Sequence, residues 1–493
     1  MLALHGLYKA FGANQVLRGV DLTIDAGEVV VLMGANGAGK STLVKVLSGY
    51  HVADDGVMTL AGNAYHPVDA RDAIRQGIVT VHQAIDDGVI PDLSVADNLL
   101  LDRFASRDHG LWVSARTLRR EARQVAEAMG MTLDLDARVA ELSVADRQLI
   151  GIARALAHSP RLLILDEPTS SLSAAEAERL FNLLDRLREQ GVAILYISHR
   201  MTDIRRLADR IVCLRDGRVS GMFDQKPLDL PGAVQAMLGQ TLEATAIQPV
   251  APGPAVLELH DIVLAPGSKP VSFAVGDGEV VALTGLLGSG MEALVAMLFG
   301  QRPLSQGSLR LDGRDYAPNT VSEALARGVF LAAKDRSVNG VVADFDIADN
   351  MTLPFLKAFS TGGLLRRSRQ RQAATQMIER LGIVCQSPQD AIGTLSGGNQ
   401  QKVMIGRWLQ APCRLLILDE PFQGVDIGAR HDIGRQIRAT AKGRATLVCV
   451  SEIDEAIEIA DRIIVLHEGC IAGEQYNQDI DLGVLAAQAA GHG

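Results

Sequence analysis

One pattern is written twice in this chain, and that repeat limits its possible folds more than any other feature. Asp166-Glu167-Pro168 closes the apolar run 162–165, and Asp419-Glu420-Pro421 closes the run 415–418. Leu142-Ser143 precedes the first aspartate by the same number of positions as Leu395-Ser396 precedes the second. Glycine-rich segments at 34–39 and 285–290 each follow a β-type run, 29–33 and 280–284. A repeat of this length predicts two copies of one domain rather than one large core. The expected limits are 1–240 and 255–493, joined by an extended linker at 241–254 that carries Pro249, Pro252 and Pro254.

Within each copy, short β-branched runs alternate with amphipathic stretches such as 181–190, which ends at Gly191. That alternation predicts an α/β domain with a mostly parallel sheet. Ligands of such sheets bind beyond the carboxyl ends of the strands, where both glycine segments fall. Composition narrows the function. Aromatic residues make up 4% of the chain, which leaves little for stacking on bases. A net charge of -10 argues against a nucleic-acid partner. Every apolar run stops short of the ~18 residues a membrane-crossing helix needs; the run 280–291 is broken by glycines and ends at Glu292. No secretory leader is expected, since Lys9 follows the only apolar stretch at the start. The five cysteines are odd in number and scattered, so reduced core cysteines are expected.

Gly34-Ala35-Asn36-Gly37-Ala38-Gly39-Lys40-Ser41, followed by Thr42, fits the phosphate-binding pattern G-x-x-x-x-G-K-[ST] at every position. Glycines let backbone N–H groups turn inward around phosphates. A helix starting near Lys40 points its positive end at the same place. Lys40 supplies a charge for the β and γ phosphates, and the Ser41 hydroxyl suits magnesium. Asp166 ends a buried-type strand and is expected to hold magnesium. Glu167 beside it is placed to act as general base on an attacking water. Gln83 follows another β run and could reach magnesium or that water. His199 ends the run 193–198; taken alone, it reads as structural.

Loop, Gln83, Leu142-Ser143, Asp166-Glu167 and His199, in this order, resemble the ATP-binding cassette of ABC transporters. Leu395-Ser396-Gly397-Gly398-Asn399-Gln400-Gln401-Lys402 is similar to that family's signature motif. The resemblance covers nearly the whole chain in two copies. It implies two tandem P-loop NTPase domains, each with a mostly parallel sheet, an antiparallel β part and a helical subdomain. It also implies that each ATP, with Mg2+, is held between one cassette's loop and the other's signature, with His199 catalytic. Phe11 is the implied adenine-stacking aromatic, ahead of Tyr8. Gly424-Val425-Asp426 after the second Asp-Glu-Pro, with the weakened signature Leu142-Ser143-Val144-Ala145-Asp146-Arg147-Gln148, resembles the tandem ATPase subunits of monosaccharide importers. Such subunits sit on the cytoplasmic face of the inner membrane, under a separate permease fed by a periplasmic binding protein. Residues 84–101 are then expected near the permease. A nucleoside importer is the nearer alternative, and a soluble tandem-cassette protein of translation or DNA repair the more distant one.

The second copy departs from the pattern. Met291 stands where lysine is expected and Glu292 where serine or threonine is expected. Lys334 replaces the glutamine or acid expected there, and Ser451 or its neighbour falls at the histidine position. One complete site is therefore expected, combining Lys40, Ser41, Gln83, Asp166, Glu167 and His199 with Ser396, Gly397, Gly398, Asn399, Gln400 and Asp426.

Overall fold

The computed structural model of the chain describes all residues except 82–87, 102–114, 129–130, 132, 170–171, 173, 199, 240–246, 248, 287, 335, 337–339, 479, 490 and 492–493. The chain divides into two compact units, Met1–Glu243 and Ala244–Gly493.

In the first unit, β1 (Leu2–Phe11), β2 (Asn14–Ile24), β4 (Asp55–Leu60) and β5 (Asn63–Ala64) form an antiparallel sheet in the order β2-β1-β4-β5. A second sheet contains β3 (Val29–Gly34), β6 (Ile78–Val81), β7 (Leu162–Asp166), β8 (Ala193–Ile197), β9 (Arg210–Arg215) and β10 (Arg218–Phe223), in the order β10-β9-β3-β8-β7-β6. All its pairings are parallel except that of β9 with β10. β3, β7 and β8 are covered on both faces, which is why they read as unbroken apolar runs. Helix Ala174–Glu189 covers the expected 181–190 stretch except its last residue, and starts earlier. A separate helical cluster packs Val95 and Leu99 against Ala122, Ala126, Ile150 and Ala153. The buried Asn98 pins that cluster to the entering chain: its amide donates to Ile90 O at 2.9 Å and accepts from Ile90 N at 2.7 Å.

The second unit repeats this plan. β11 (Ala255–Ile262), β12 (Val271–Gly276), β14 (Ser308–Leu311) and β15 (Arg314–Asp315) form the antiparallel sheet β12-β11-β14-β15. β13 (Val280–Thr284), β16 (Val329–Ala332), β19 (Leu415–Asp419), β20 (Ala445–Val450), β21 (Arg462–His467) and β22 (Cys470–Tyr476) form the larger sheet β16-β19-β20-β13-β21-β22. A small hairpin, β17 (Ser360–Thr361) and β18 (Leu364–Leu365), belongs to this copy. Asn350 anchors its helical cluster as Asn98 does, with the amide on Val342.

Each unit braces its two sheets the same way. Arg210, at the start of β9, binds Glu28 at 2.8 Å and donates to Thr23 O on β2. Arg462, at the start of β21, binds Glu279 at 2.8 Å and donates to Ala274 O on β12.

Candidate nucleotide site

In the first unit β3 ends at Gly34 and the chain turns back, with Ala38 N donating to Ala35 O at 3.1 Å. Helix Lys40–Leu47 then begins as Gly39 O accepts Leu43 N at 2.9 Å. Gly39 has φ 106, a left-handed conformation that disfavours any side chain. Gly34 is required by space instead: a Cβ there would lie 2.7 Å from Leu214 O. Lys40 Nζ donates to the carbonyls of Gly34 and Ala35, so it lies over the loop, and Ser41 is exposed one residue on. The first N–H groups of a helix have no acceptor within the helix and carry its positive end, here at the close of the loop.

Asp166 closes β7 in register with Ile197 of β8. Burial, reinforced by Glu167, pushes its carboxyl up to about 6, against the opposing charge of Lys40. The next residue, Glu167, has φ 49 and donates its N–H to Ile197 O at 2.9 Å. A non-glycine residue there costs ~1–2 kcal/mol, and such strain concentrates at working sites. Phe11, at the end of β1, is 46% exposed and meets His51 edge-on with centroids 5.1 Å apart. Tyr8 is also exposed. Gln83 and His199 lie outside the described residues. Gln148, the last residue of the weakened signature, has a contact the sequence did not signal: its amide donates to Pro168 O and so ties helix Val144–Ala157 to the turn after Glu167.

The second unit repeats the two left-handed glycines of this loop with different side chains after them. Gly288 and Gly290 have φ 84 and 102, and Leu294 N donates to Gly290 O at 3.1 Å as helix Met291–Leu298 begins. Met291, in the lysine place, packs against the hydrophobic core. A cation comes instead from Lys334. Its charge opposes the upward push that burial gives Asp419 and Glu420, while Glu292 adds to that push on Asp419. Glu292, Lys334, Arg336, Asp419 and Phe299 are among the residues lining a cavity of about 990 Å³. Sheet register settles the histidine position. Asp419 pairs with Cys449 as Asp166 pairs with Ile197, so Ser451 stands where the first copy has His199. Its hydroxyl binds Glu420.

The two signatures differ in what their serines do. Ser143 caps helix Val144–Ala157: its Oγ accepts Asp146 N at 3.1 Å and donates to Asp146 Oδ2 at 2.8 Å. That serine is engaged locally, and Asp146 puts an acid at the helix start. Ser396 precedes helix Gly397–Trp408 without capping it; Asn399 Nδ2 donates to its Oγ at 3.0 Å. Gly397 and Gly398 are packing glycines. Cβ atoms there would lie 2.9 Å from Gly424 O and 2.6 Å from the Ala429 Cβ. Gln400 turns its amide onto the carbonyls of Ile392 and Leu395, and Asp426 caps helix Ile427–Ala439 by accepting Ala429 N at 2.9 Å.

The twin parallel sheets, each with a loop, an Asp-Glu strand end and a signature helix, define a pair of nucleotide-binding cassettes. Residues 17–170 and 268–423 match the family model described as ABC transporter, and the chain belongs to that family. It is similar along its whole length to the ribose import ATP-binding protein RbsA of Geobacillus kaustophilus (strain HTA426), 37% identical over 100% of this chain and 99% of the relative. Ribose import ATP-binding protein RbsA 2 of Rubrobacter xylanophilus is 38% identical over 99% of this chain and 94% of its own length. Among solved structures, a model of ribosome-bound archaeal Pelota and ABCE1 contains a chain with TM-score 0.67 and 20% identity, covering 98% of this chain and 80% of that one, a likeness of fold alone. No helix among the described residues is long and apolar enough to cross a membrane.

Proposed function

We propose that this chain is the ATPase subunit that powers import of a monosaccharide or related small polar solute through a separate membrane permease. The observation that carries the proposal is how the parts are divided between the units. The first has a complete phosphate loop beside Asp166-Glu167, and the second has a glycine signature whose serine does not cap its helix. Full-length similarity to ribose import ATP-binding proteins supports a sugar rather than a nucleoside. On this reading ATP lies on Lys40 and residues 34–42, with Phe11 against adenine. Ser396, Gly397, Gly398, Asn399, Gln400 and Asp426 of the second cassette complete the same site. Glu167 is the general base, and His199 and Gln83 attend the γ-phosphate and the water. The proposed domains are 1–240 and 255–493, with 241–254 as linker.

The donor set fits Mg2+. Ser41 is exposed at the loop, and Asp166, crowded by a second acid, gains from a nearby cation. Mg2+ in phosphate sites takes few protein oxygens, so Ser41, Asp166 and Gln83 suffice. When bound, it would offset charge on the phosphates. The remaining partners are the permease and, through it, a periplasmic binding protein, which places the chain on the cytoplasmic face of the inner membrane; no nucleic acid is involved.

Glu167→Gln tests the assignment. Loss of a general base lowers turnover ~10²–10⁴-fold, while the loop still binds ATP. Turnover, ATP affinity and sugar uptake are measured on the chain assembled with its permease. A variant that keeps half its turnover, or uptake indifferent to the substitution, refutes the reading.

A further inference from the structure

We infer that Asp203 is a positioning residue of the first site, its buried carboxylate tying the turn after Glu167 to Ser198, the residue that precedes His199 in the chain. The inference rests on the first site being the competent one. Asp203 lies on helix Met201–Leu207 and is 2% exposed. Its Oδ2 accepts three hydroxyls: Thr169 Oγ1, Tyr196 OH at 2.8 Å and Ser198 Oγ at 3.3 Å. Thr169 stands two residues after Glu167, and Ser198 is the residue before His199. A second tie runs alongside. Arg200 donates its N–H to Ser198 Oγ at 3.0 Å and its guanidinium to Thr169 O at 2.6 Å. The residues on both sides of position 199 are thus bonded to the segment that follows the general base. Thr169, Tyr196 and Ser198 are all buried, so these bonds act at low dielectric and are costly to leave unmade.

The second unit supplies an internal comparison. By the register that pairs Asp419 with Cys449, Val448 and Val450 stand in the places of Tyr196 and Ser198. Phe422 stands in the place of Thr169, one residue after the proline, and Glu455 in that of Asp203. All three hydroxyls are replaced by apolar side chains in the copy whose loop has lost its lysine. Glu455 faces Arg430 at 3.6 Å instead, where the first copy has Ala177. Both strand ends are fully packed, so the fold alone does not call for the hydroxyl cluster. The difference between the copies follows the chemistry.

Displacement of a reacting group by about 1 Å costs ~10²-fold in rate. Asp203→Asn is therefore expected to lower kcat for ATP by ~10–100-fold, with KM unchanged because residues 34–42 hold the nucleotide. Thr169→Val keeps shape and removes the hydroxyl, and it should lower kcat in the same sense; Thr169→Ser should rescue most of that loss. The matched control, Glu455→Gln in the second unit, should leave kcat as it is. The measurements are kcat, KM and thermal melting in the assembled transporter. Full kcat in Asp203→Asn, or equal kcat in Thr169→Val and Thr169→Ser, overturns the inference. If Asp203→Asn does not fold, the Thr169 pair decides. Full turnover in Glu167→Gln would remove the first-site reading and this inference with it. Loss of turnover there, with the Asp203 and Thr169 variants intact, removes this inference alone.

Discussion

Gly39→Ala and Gly290→Ala form a matched pair that separates the cost of strain from the loss of chemistry. Their φ values, 106 and 102, are nearly equal. A left-handed conformation costs an L residue ~1–2 kcal/mol. The added methyl would meet Leu17 Cδ2 at 3.0 Å in the first unit, and Gly469 Cα at 3.1 Å in the second. With that crowding, each substitution should destabilise its unit by ~1–3 kcal/mol. At ~2–4 °C per kcal/mol for a domain of this size, Tm should fall by roughly 2–12 °C in both. Activity should divide them. Re-aiming two loop N–H groups away from a charged phosphate forfeits ~1.5–3 kcal/mol each, which is roughly 10²–10⁴-fold in turnover. Gly39→Ala should show that loss. Gly290→Ala should keep turnover within about twofold, because its loop leads into Met291 and Glu292 rather than Lys-Ser, and no such phosphate bonds depend on it. The assay is ATP turnover of the assembled transporter, run below both melting temperatures. If Gly290→Ala is as inactive as Gly39→Ala while folded, the second loop takes part in hydrolysis and the reasoning fails.

The signatures give a second asymmetry: Ser396→Arg should stop turnover nearly as fully as Lys40→Ala, the double variant should add little, and Ser143→Arg should be far milder; equal damage from both arginines in folded protein would contradict this. A third prediction concerns pH. Burial pushes Glu455 up to about 8; Arg430 opposes it, and Glu420, Glu452 and Glu458 add to it. A carboxyl raised in the folded state stabilises fully below its unfolded value and loses that contribution as pH climbs through about 8. Melting of the wild type should therefore fall between pH 5 and 8 more steeply than that of Glu455→Gln, and parallel curves would refute the assignment.

The sequence was most legible where spacing dictates backbone. Glycines at 34, 37 and 39 before Lys-Ser mark a phosphate-type loop, and the same spacing at 285, 288 and 290 kept the second loop readable where Met291 and Glu292 replace Lys-Ser. The repeat gave the sheet order of one unit once the other was understood. Side-chain engagement was less legible. Asn399 and Gln400 belong to the signature by position, yet their amides also serve the local turn. Lys334 was read as a missing glutamine; its role as the cation beside Asp419 depends on where the end of β16 falls. Ser451 could be aligned only through the register of β19 with β20. Thr169, Tyr196, Ser198 and Asp203 follow no spacing rule, since three separate elements bring them together. Helix Ala174–Glu189 began earlier than expected because its alanine-rich start carries no apolar periodicity.

The Arg–Glu brace between the sheets determines how each unit carries load. Arg462 and Glu279 are both desolvated, and parting them strands a buried charge at ~3–5 kcal/mol. Arg210 and Glu28 hold the corresponding joint in the first unit. Displacing the antiparallel sheet there means breaking the Arg210 bonds to Glu28 and Thr23 O. The first unit's junction with the helical cluster is different: the Gln148 amide on Pro168 is a neutral buried bond with a net worth of ~1 kcal/mol. The first unit is thus held by a charged pair where its two sheets meet and by a neutral bond at the Asp-Glu turn.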